Sequence, residues 1–120
     1  MKLTLFEAFF ITHLVMDWIF QTNWEMRNKT NKRFPLLVHS VIYTFGFIPV
    51  FLFYKINFIW LGLIFLSHIF LDCRTFEIWL LEKFKGFKKE DNPESIWWIL
   101  LIGIDQTFHL IILGIITLFS

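Results

Sequence analysis

Long apolar stretches separated by short polar connections dominate the hydropathy pattern of this 120-residue chain. Four of these stretches reach or approach the roughly 20 residues that a helix needs to cross a bilayer. They cover residues 3–22, 34–54, 58–73 and 96–119. The pattern predicts an all-α fold, an integral membrane four-helix bundle made of two helical hairpins. Residues 1–120 are expected to form one transmembrane domain.

The third stretch is the shortest, and the pattern that follows it is amphipathic. Apolar residues recur at three- and four-residue spacing from Phe76 to Phe87, with several lysines nearby. This periodicity is typical of a helix that lies along the membrane interface. We therefore expect an amphipathic interfacial helix over residues 74–87, between the third and fourth spans.

Composition agrees with this interpretation, and the distribution of charge orients the chain. The sequence is 57% hydrophobic with 17 Phe, which is more apolar surface than a soluble domain of this size buries. Nine of the 11 Lys and Arg lie in two polar connections, within residues 23–33 and 74–95. By the positive-inside rule, both connections face the cytoplasm and both termini lie outside. Anionic lipids at the cytoplasmic face are expected partners.

All four histidines lie in the apolar stretches, and three stand four residues from an aspartate. The pairs are His13 with Asp17, His68 with Asp72, and Asp105 with His109, while His39 stands alone. Residues four apart share one face of a helix, so each pair faces one neighbour. The direction of each helix places all seven groups in the cytoplasmic half of the bilayer. Ionisable groups at this depth cost several kcal/mol unless they are paired or solvated, which makes them candidates for a functional site.

Imidazole and carboxylate groups are the ligands that proteins use for Zn, Mn and non-haem Fe. We expect one or two divalent ions. The expected metal ligands are His13, His39, His68, Asp72 and His109. The expected catalytic residues are Asp17, Asp105, Gln21 and Gln106, with the aspartates orienting imidazoles or a water and the glutamines holding a water or a substrate oxygen. A proton or ion relay and a purely structural polar core remain alternatives.

The ordered motifs extend over nearly the whole chain and carry a resemblance. They are HLVMDWIFQT at 13–22, WEMRNK at 24–29, His39, SHIFLD at 67–72 and DQTFH at 105–109. This set resembles a family of small bacterial and phage membrane proteins, domain of unknown function 3307. The resemblance implies the bacterial inner (cytoplasmic) membrane and no particular activity. The chain is also distantly similar to the membrane-bound metal-dependent hydrolases, which favours a metal.

These observations predict a membrane-embedded His/Asp metal site that hydrolyses a lipid-linked or membrane-proximal substrate. Two other functions stay open: an ion or proton transporter or channel subunit, and a non-catalytic membrane adaptor with a polar structural core. Four helices enclose little volume, so a larger cavity would require a homodimer. No nucleic-acid partner is expected, because the basic connections lack a folded element to read bases.

Overall fold

The computed structural model describes residues 2–120, which form helices and no strands. The helices are α1 (Leu5–Leu14), α2 (Asn23–Asn28), α3 (Arg33–Phe45), α4 (Ile48–Tyr54), α5 (Ile59–Asp72), α6 (Thr75–Trp79) and α7 (Glu94–Phe119). A π-helical turn over Val15–Ile19 continues α1, and a second over Leu80–Phe84 continues α6. The all-α prediction is confirmed for these residues.

Two helical stretches are long and apolar enough to cross a membrane, Arg33–Tyr54 and Glu94–Phe119. A third would qualify if α5 and the helical segment after it, which meet at a bend of 49°, act together as one span. The first stretch is helical from residue 5 to 19, about 22 Å at 1.5 Å per residue and less than the roughly 30 Å hydrocarbon core. Two such helices indicate membrane association, whereas four spans are not confirmed.

The first helix ends earlier than predicted because a new helix is capped at Thr22. The Glu25 N–H donates to Thr22 Oγ1 at 3.2 Å, and the Thr22 N–H donates to Glu25 Oε2 at 2.8 Å. This reciprocal capping box starts α2 and holds Thr22 in an extended conformation, so the preceding helix cannot continue through it. The same motif at Thr4 and Glu7 starts α1. Helix α2 then packs against α3.

The break after α5 is caused by Arg74, whose backbone is left-handed with φ of 59°. This conformation costs a residue other than glycine about 1–2 kcal/mol. The helix predicted over 74–87 is found as α6 and its π-helical continuation, which ends at Phe84, shortly before Gly86 at φ of 67°. In the second predicted span, α3 and α4 meet at Gly46 and Phe47, and Pro49 occupies the first turn of α4.

The buried interior is polar between two apolar regions. On the side of the termini lies a cluster that we call the apolar plug, made of Phe9, Tyr43, Phe47, Phe51, Ile56, Ile64, Leu113 and Ile116. Toward the polar connections, Leu81, Trp97 and Leu101 form a smaller cluster. Helix α7 runs through all three layers, and its buried stripe carries Asp105 and His109 between Leu101 and Leu113. The three- and four-residue spacing of this stripe therefore brings the polar pair into the bundle.

Candidate metal centre

The seven predicted histidines and aspartates meet in one buried cluster, and none is more than 4% exposed. Asp72 is at its centre. Its carboxylate oxygens lie 3.3 Å from His39 Nε2, 3.2 Å from His68 Nε2 and 3.5 Å from His109 Nε2. The cluster is assembled from α1, from the π-helical turn that continues it, and from α3, α5 and α7.

Four of these residues offer a ligand set of suitable size for one metal ion. We call Asp17, His39, His68 and Asp72 the four-ligand group; one ligand atom from each lies within 4.8 Å of the others. His39 Nε2 is 2.9 Å from Asp17 Oδ1 and 3.3 Å from Asp72 Oδ2, and His68 Nε2 is 3.2 Å from that same oxygen. Atoms bound tetrahedrally at about 2.0–2.1 Å from an ion are about 3.3 Å apart. The two separations from Asp72 Oδ2 match this geometry, whereas the 2.9 Å contact of His39 Nε2 with Asp17 Oδ1 is a hydrogen bond in the structure.

Hydrogen bonds fix which nitrogen of His68 is available. The His109 Nδ1–H donates to the backbone carbonyl of Asp105 at 2.8 Å, because a carbonyl can only accept. With its hydrogen on Nδ1, the neutral tautomer of His109 has a lone pair on Nε2 that can accept from the His68 Nδ1–H at 3.0 Å. The lone pair of His68 Nε2 then faces Asp72 Oδ2 at 3.2 Å and has no hydrogen-bond partner. Two buried acceptors that face each other favour a nearby cation, and Lys29 Nζ lies 2.8 Å from Asp72 Oδ2.

A second set, the three-ligand group, consists of Asp72, Asp105 and His109 and shares Asp72 with the first. Asp105 Oδ1 is buried without a hydrogen-bond partner. The ring of His109 is already used on both sides, since Nδ1 donates to the Asp105 carbonyl and Nε2 accepts from His68. This group is therefore the less complete ligand set.

Lys29 enters the centre, which the sequence did not reveal. Its Nζ lies 2.8 Å from Asp72 Oδ2, 3.2 Å from Asp17 Oδ1 and 3.3 Å from His39 Nε2. Burial by itself would lower the pKa of the ammonium, but the charges of Asp72 and Asp17 outweigh it and hold the pKa above its usual value. Its place in the polar connection of residues 23–33 predicts only a charge that orients the chain toward the cytoplasm. The Thr22-x-x-Glu25 capping box was the signal that a short helix turns this lysine inward.

His13 lies outside both ligand groups, although it was expected to be a ligand. The Tyr43 hydroxyl donates to His13 Nδ1 at 2.8 Å, and the His13 Nε2–H donates to Gln106 Oε1 at 2.7 Å, so the imidazole has no free lone pair. The Gln106 amide nitrogen is 3.2 Å from oxygens of both Asp17 and Asp105. Conversely, these two aspartates, expected to orient other groups, lie within the ligand groups.

Negative charge is in excess around the cluster. Among residues 2–120, five carboxylates are buried, but Lys29 is the single buried lysine or arginine. Two of the five were not predicted: Glu25, whose Oε1 is 3.4 Å from His39 Nδ1, and Glu77, whose two oxygens have no hydrogen-bond partner. Buried carboxylates require compensation by cations or by protons.

A cleft of about 170 Å³ reaches the cluster from the side of the polar connections. It is lined by Asp17, Trp18, Gln21, Met26, Lys29, Arg74, Ile102, Asp105 and Gln106. Gln21, expected to hold a water or substrate oxygen, lies here, and its Oε1 is buried without a hydrogen-bond partner. The apolar plug lies along the helices in the opposite direction. Access to the cluster is therefore from one side.

These features define a class: an all-helical protein with two helices of membrane length and a buried His/Asp cluster open to one side. The chain belongs to the family described as Protein of unknown function (DUF3307), whose model matches residues 5–120. That resemblance is confirmed. No curated protein and no solved structure matches the chain. The comparisons do not support a similarity to the membrane-bound metal-dependent hydrolases.

Proposed function

We propose that this protein is a membrane-embedded metalloprotein that binds a divalent ion at the four-ligand group and catalyses hydrolysis at the membrane surface. The observation that carries the proposal is the pair of separations of 3.3 and 3.2 Å from His39 Nε2 and His68 Nε2 to Asp72 Oδ2, together with the unpartnered lone pair of His68 Nε2. Zn, Mn and Fe all accept this mixture of imidazole and carboxylate. The excess of buried carboxylates favours the same conclusion.

The proposed setting is a four-span bundle in the bacterial inner membrane, with both termini outside. The exposed apolar residues at the end of the first stretch support it: Trp18 is 57% and Ile19 72% exposed, as expected where a short helix contacts lipid. The exposed lysines at 83, 85, 88 and 89 suit a cytoplasmic interface with anionic lipids. The bent pair of α5 and the segment after it would supply the third span, with its last turns at the interface.

Within this proposal the four ligands have unequal roles. His39, His68 and Asp72 hold the ion, and each imidazole is oriented from its other side, His39 by Glu25 and His68 by His109. Asp17, which lines the cleft, is the ligand that a water would replace. Because catalytic sites keep one position open, this arrangement suits catalysis better than four fixed ligands do.

The bound ion would lower the pKa of a water toward neutrality. Asp17 would then accept the proton of that water, while Gln21 and Gln106 hold the water and a substrate oxygen. A bond would form between the water oxygen and the carbonyl carbon or phosphorus atom of the substrate. The bond to the leaving oxygen would break, and that oxygen would take the proton from Asp17. Lys29 must leave the ligand atoms when the ion enters, and the cleft that it lines provides the space.

Transport and a purely structural role receive less support. A transporter needs a path to both sides, yet the apolar plug separates the cluster from the terminal side. A structural polar core would be expected to pair its buried atoms, yet His68 Nε2, Asp105 Oδ1 and Asp72 Oδ1 lack hydrogen-bond partners. One-sided access to unpartnered ligands favours hydrolysis.

The test compares His68→Ala with His13→Ala by elemental analysis of the purified protein. Both imidazoles are buried, but only His68 belongs to a ligand group. We expect the wild type to retain a divalent ion, His68→Ala to lose it, and His13→Ala to keep it. The visible spectrum after Co²⁺ loading provides a second measurement, since tetrahedral coordination gives intense absorption bands. A wild-type protein that retains no metal and is not thermally stabilised by Zn, Mn or Fe would refute the proposal.

A further inference from the structure

We infer that the cleft holds a phosphate group, received by Arg74, so that the substrate class of the proposed hydrolase is a phosphoester. This inference rests on the proposed function and names its substrate. Arg74 lines the cleft together with Lys29 and with two residues of the cluster, Asp17 and Asp105. A ligand in the cleft therefore lies beside both the guanidinium and residues of the cluster.

Arg74 has no partner in the protein that would explain its position. Its Nε is buried without a hydrogen-bond partner, and no carboxylate among residues 2–120 lies within 4.0 Å of its nitrogens. Its nearest described interaction is with the Trp98 ring, whose centroid is 6.0 Å from the guanidinium carbon. A guanidinium offers five N–H donors in a planar fork that fits phosphate or carboxylate oxygens. The donors of Arg74 are free for such a ligand.

The backbone at Arg74 points to the same conclusion. Left-handed φ values at residues other than glycine occur at two described positions, Lys55 and Arg74. Lys55 is exposed in the turn after α4, whereas Arg74 lies directly after Asp72 and Cys73 at the end of α5. Strained backbone that is kept beside a cluster of ligand atoms is typical of functional sites. The strained residue at this bend carries the guanidinium that lines the cleft.

The dimensions and chemistry of the cleft favour phosphate over carboxylate. Its volume of about 170 Å³ is several times the roughly 30 Å³ of one liquid water, so a phosphate group fits. A phosphate has enough oxygens to contact an ion, Arg74 and a glutamine amide together, whereas a carboxylate has two. Trp18 and Met26 give the cleft an apolar rim and are 57% and 55% exposed. This rim suits a phosphate that is attached to a lipid, although a soluble phosphoester offers the same group.

The experiment measures binding of inorganic phosphate to the full-length, metal-loaded protein in detergent, with acetate as the carboxylate probe. We expect phosphate to bind the wild type and Arg74→Gln to weaken that binding about 10- to 100-fold, the usual loss for a charge-assisted hydrogen-bond donor. Arg27→Gln is the matched control, since Arg27 is exposed in the same half of the molecule and does not line the cleft. Arg74→Gly relieves the left-handed backbone and should raise thermal stability while it still loses phosphate. This variant separates loss of binding from loss of fold.

Equal phosphate affinity in Arg74→Gln and the wild type overturns the inference, as does acetate binding as tight as phosphate. Metal content is measured on the same samples. A wild type without metal contradicts the proposed function, whereas a metal-loaded wild type that does not bind phosphate contradicts the inference alone. Nanodiscs of phosphatidylcholine with and without phosphatidic acid identify the source. Competition by phosphatidic acid supports a lipid phosphate, and binding without competition supports a soluble phosphoester.

Discussion

The two ligand groups share Asp72 but differ in how their charge is compensated. In the four-ligand group, Lys29 Nζ lies within 3.3 Å of Asp17, His39 and Asp72. In the three-ligand group, no lysine or arginine nitrogen of residues 2–120 comes within 4.0 Å of the Asp105 carboxylate. The better metal geometry thus coincides with the position where the protein supplies its own cation. Metal binding at the four-ligand group would exchange one cation for another, whereas an ion at Asp105 and His109 would add a cation where the protein supplies none.

The largest effect is expected from Asp72→Asn, because Asp72 belongs to both groups. The amide keeps the shape of the carboxylate but loses its charge, so the variant should retain no divalent ion by elemental analysis. Asp105→Asn is the matched change, since it removes a carboxylate from the three-ligand group alone. We expect it to keep the ion. Loss of metal in Asp105→Asn with retention in Asp72→Asn would reverse the ranking of the two groups.

Lys29→Gln removes the ammonium that competes with a metal ion for the four-ligand group. We expect metal binding to be about 10-fold tighter, because the ion no longer has to separate Lys29 from its carboxylates. We also expect the free energy of unfolding of the metal-free protein to fall by about 3 kcal/mol. Titration with Zn²⁺ and denaturation in detergent measure the two effects. Lys32→Gln, an exposed position in the same connection, should change neither.

A further check on that prediction is how the stability lost in Lys29→Gln depends on pH. The pKa of Lys29 is raised above the ordinary lysine value of about 10.4, so its stabilising contribution is complete below about pH 10.4 and is lost as the pH rises through the higher folded value. The penalty should therefore be constant between about pH 6 and pH 9. A penalty that disappears within this window would mean that Lys29 is neutral in the folded protein.

A smaller effect is expected from Thr22→Ala, which removes the cap of the short helix that positions Lys29. Loss of such a cap costs about 1 kcal/mol. We expect slightly tighter metal binding together with this destabilisation, because Lys29 is held less firmly in the four-ligand group. Thr4→Ala removes the equivalent capping box of α1 and should cost similar stability without changing metal affinity. Equal metal affinities in the two variants would mean that α2 does not influence metal binding at the site.

Sequence reasoning predicted the helices and the polar pairs from periodicity. The stripe of α7 and the four-residue spacing of Asp105 and His109 are local properties, and the structure has both on one buried face. The first span was predicted too long, because hydropathy does not detect the capping box at Thr22 that starts a new helix. Local charge made Lys29 look like a surface residue. Its burial depends on Asp72 from a distant helix, which no local pattern contains.

Which histidines belong to the ligand groups could not be predicted either, because this depends on hydrogen bonds between helices. His13 and His68 have the same spacing to an aspartate, yet Tyr43 and Gln106 occupy both nitrogens of His13. His68 Nε2 keeps its lone pair because His109 takes the other nitrogen. The spacing identified the residues that meet, whereas the partners across the bundle determine which of them can ligate.

The position of Lys29 has a consequence for the order in which its contacts can form while the chain is synthesised. Its contacts with Asp17 and His39 lie within the half of the chain that leaves the ribosome first, whereas Asp72 is translated after α4 is complete. The contacts of Lys29 with Asp17 and His39 therefore need only residues that precede α5. Asp72, by contrast, has no lysine or arginine on its own helix and meets Lys29 only when α5 packs against α3. Packing of α5 on the earlier helices is thus the step at which Asp72 acquires its cation.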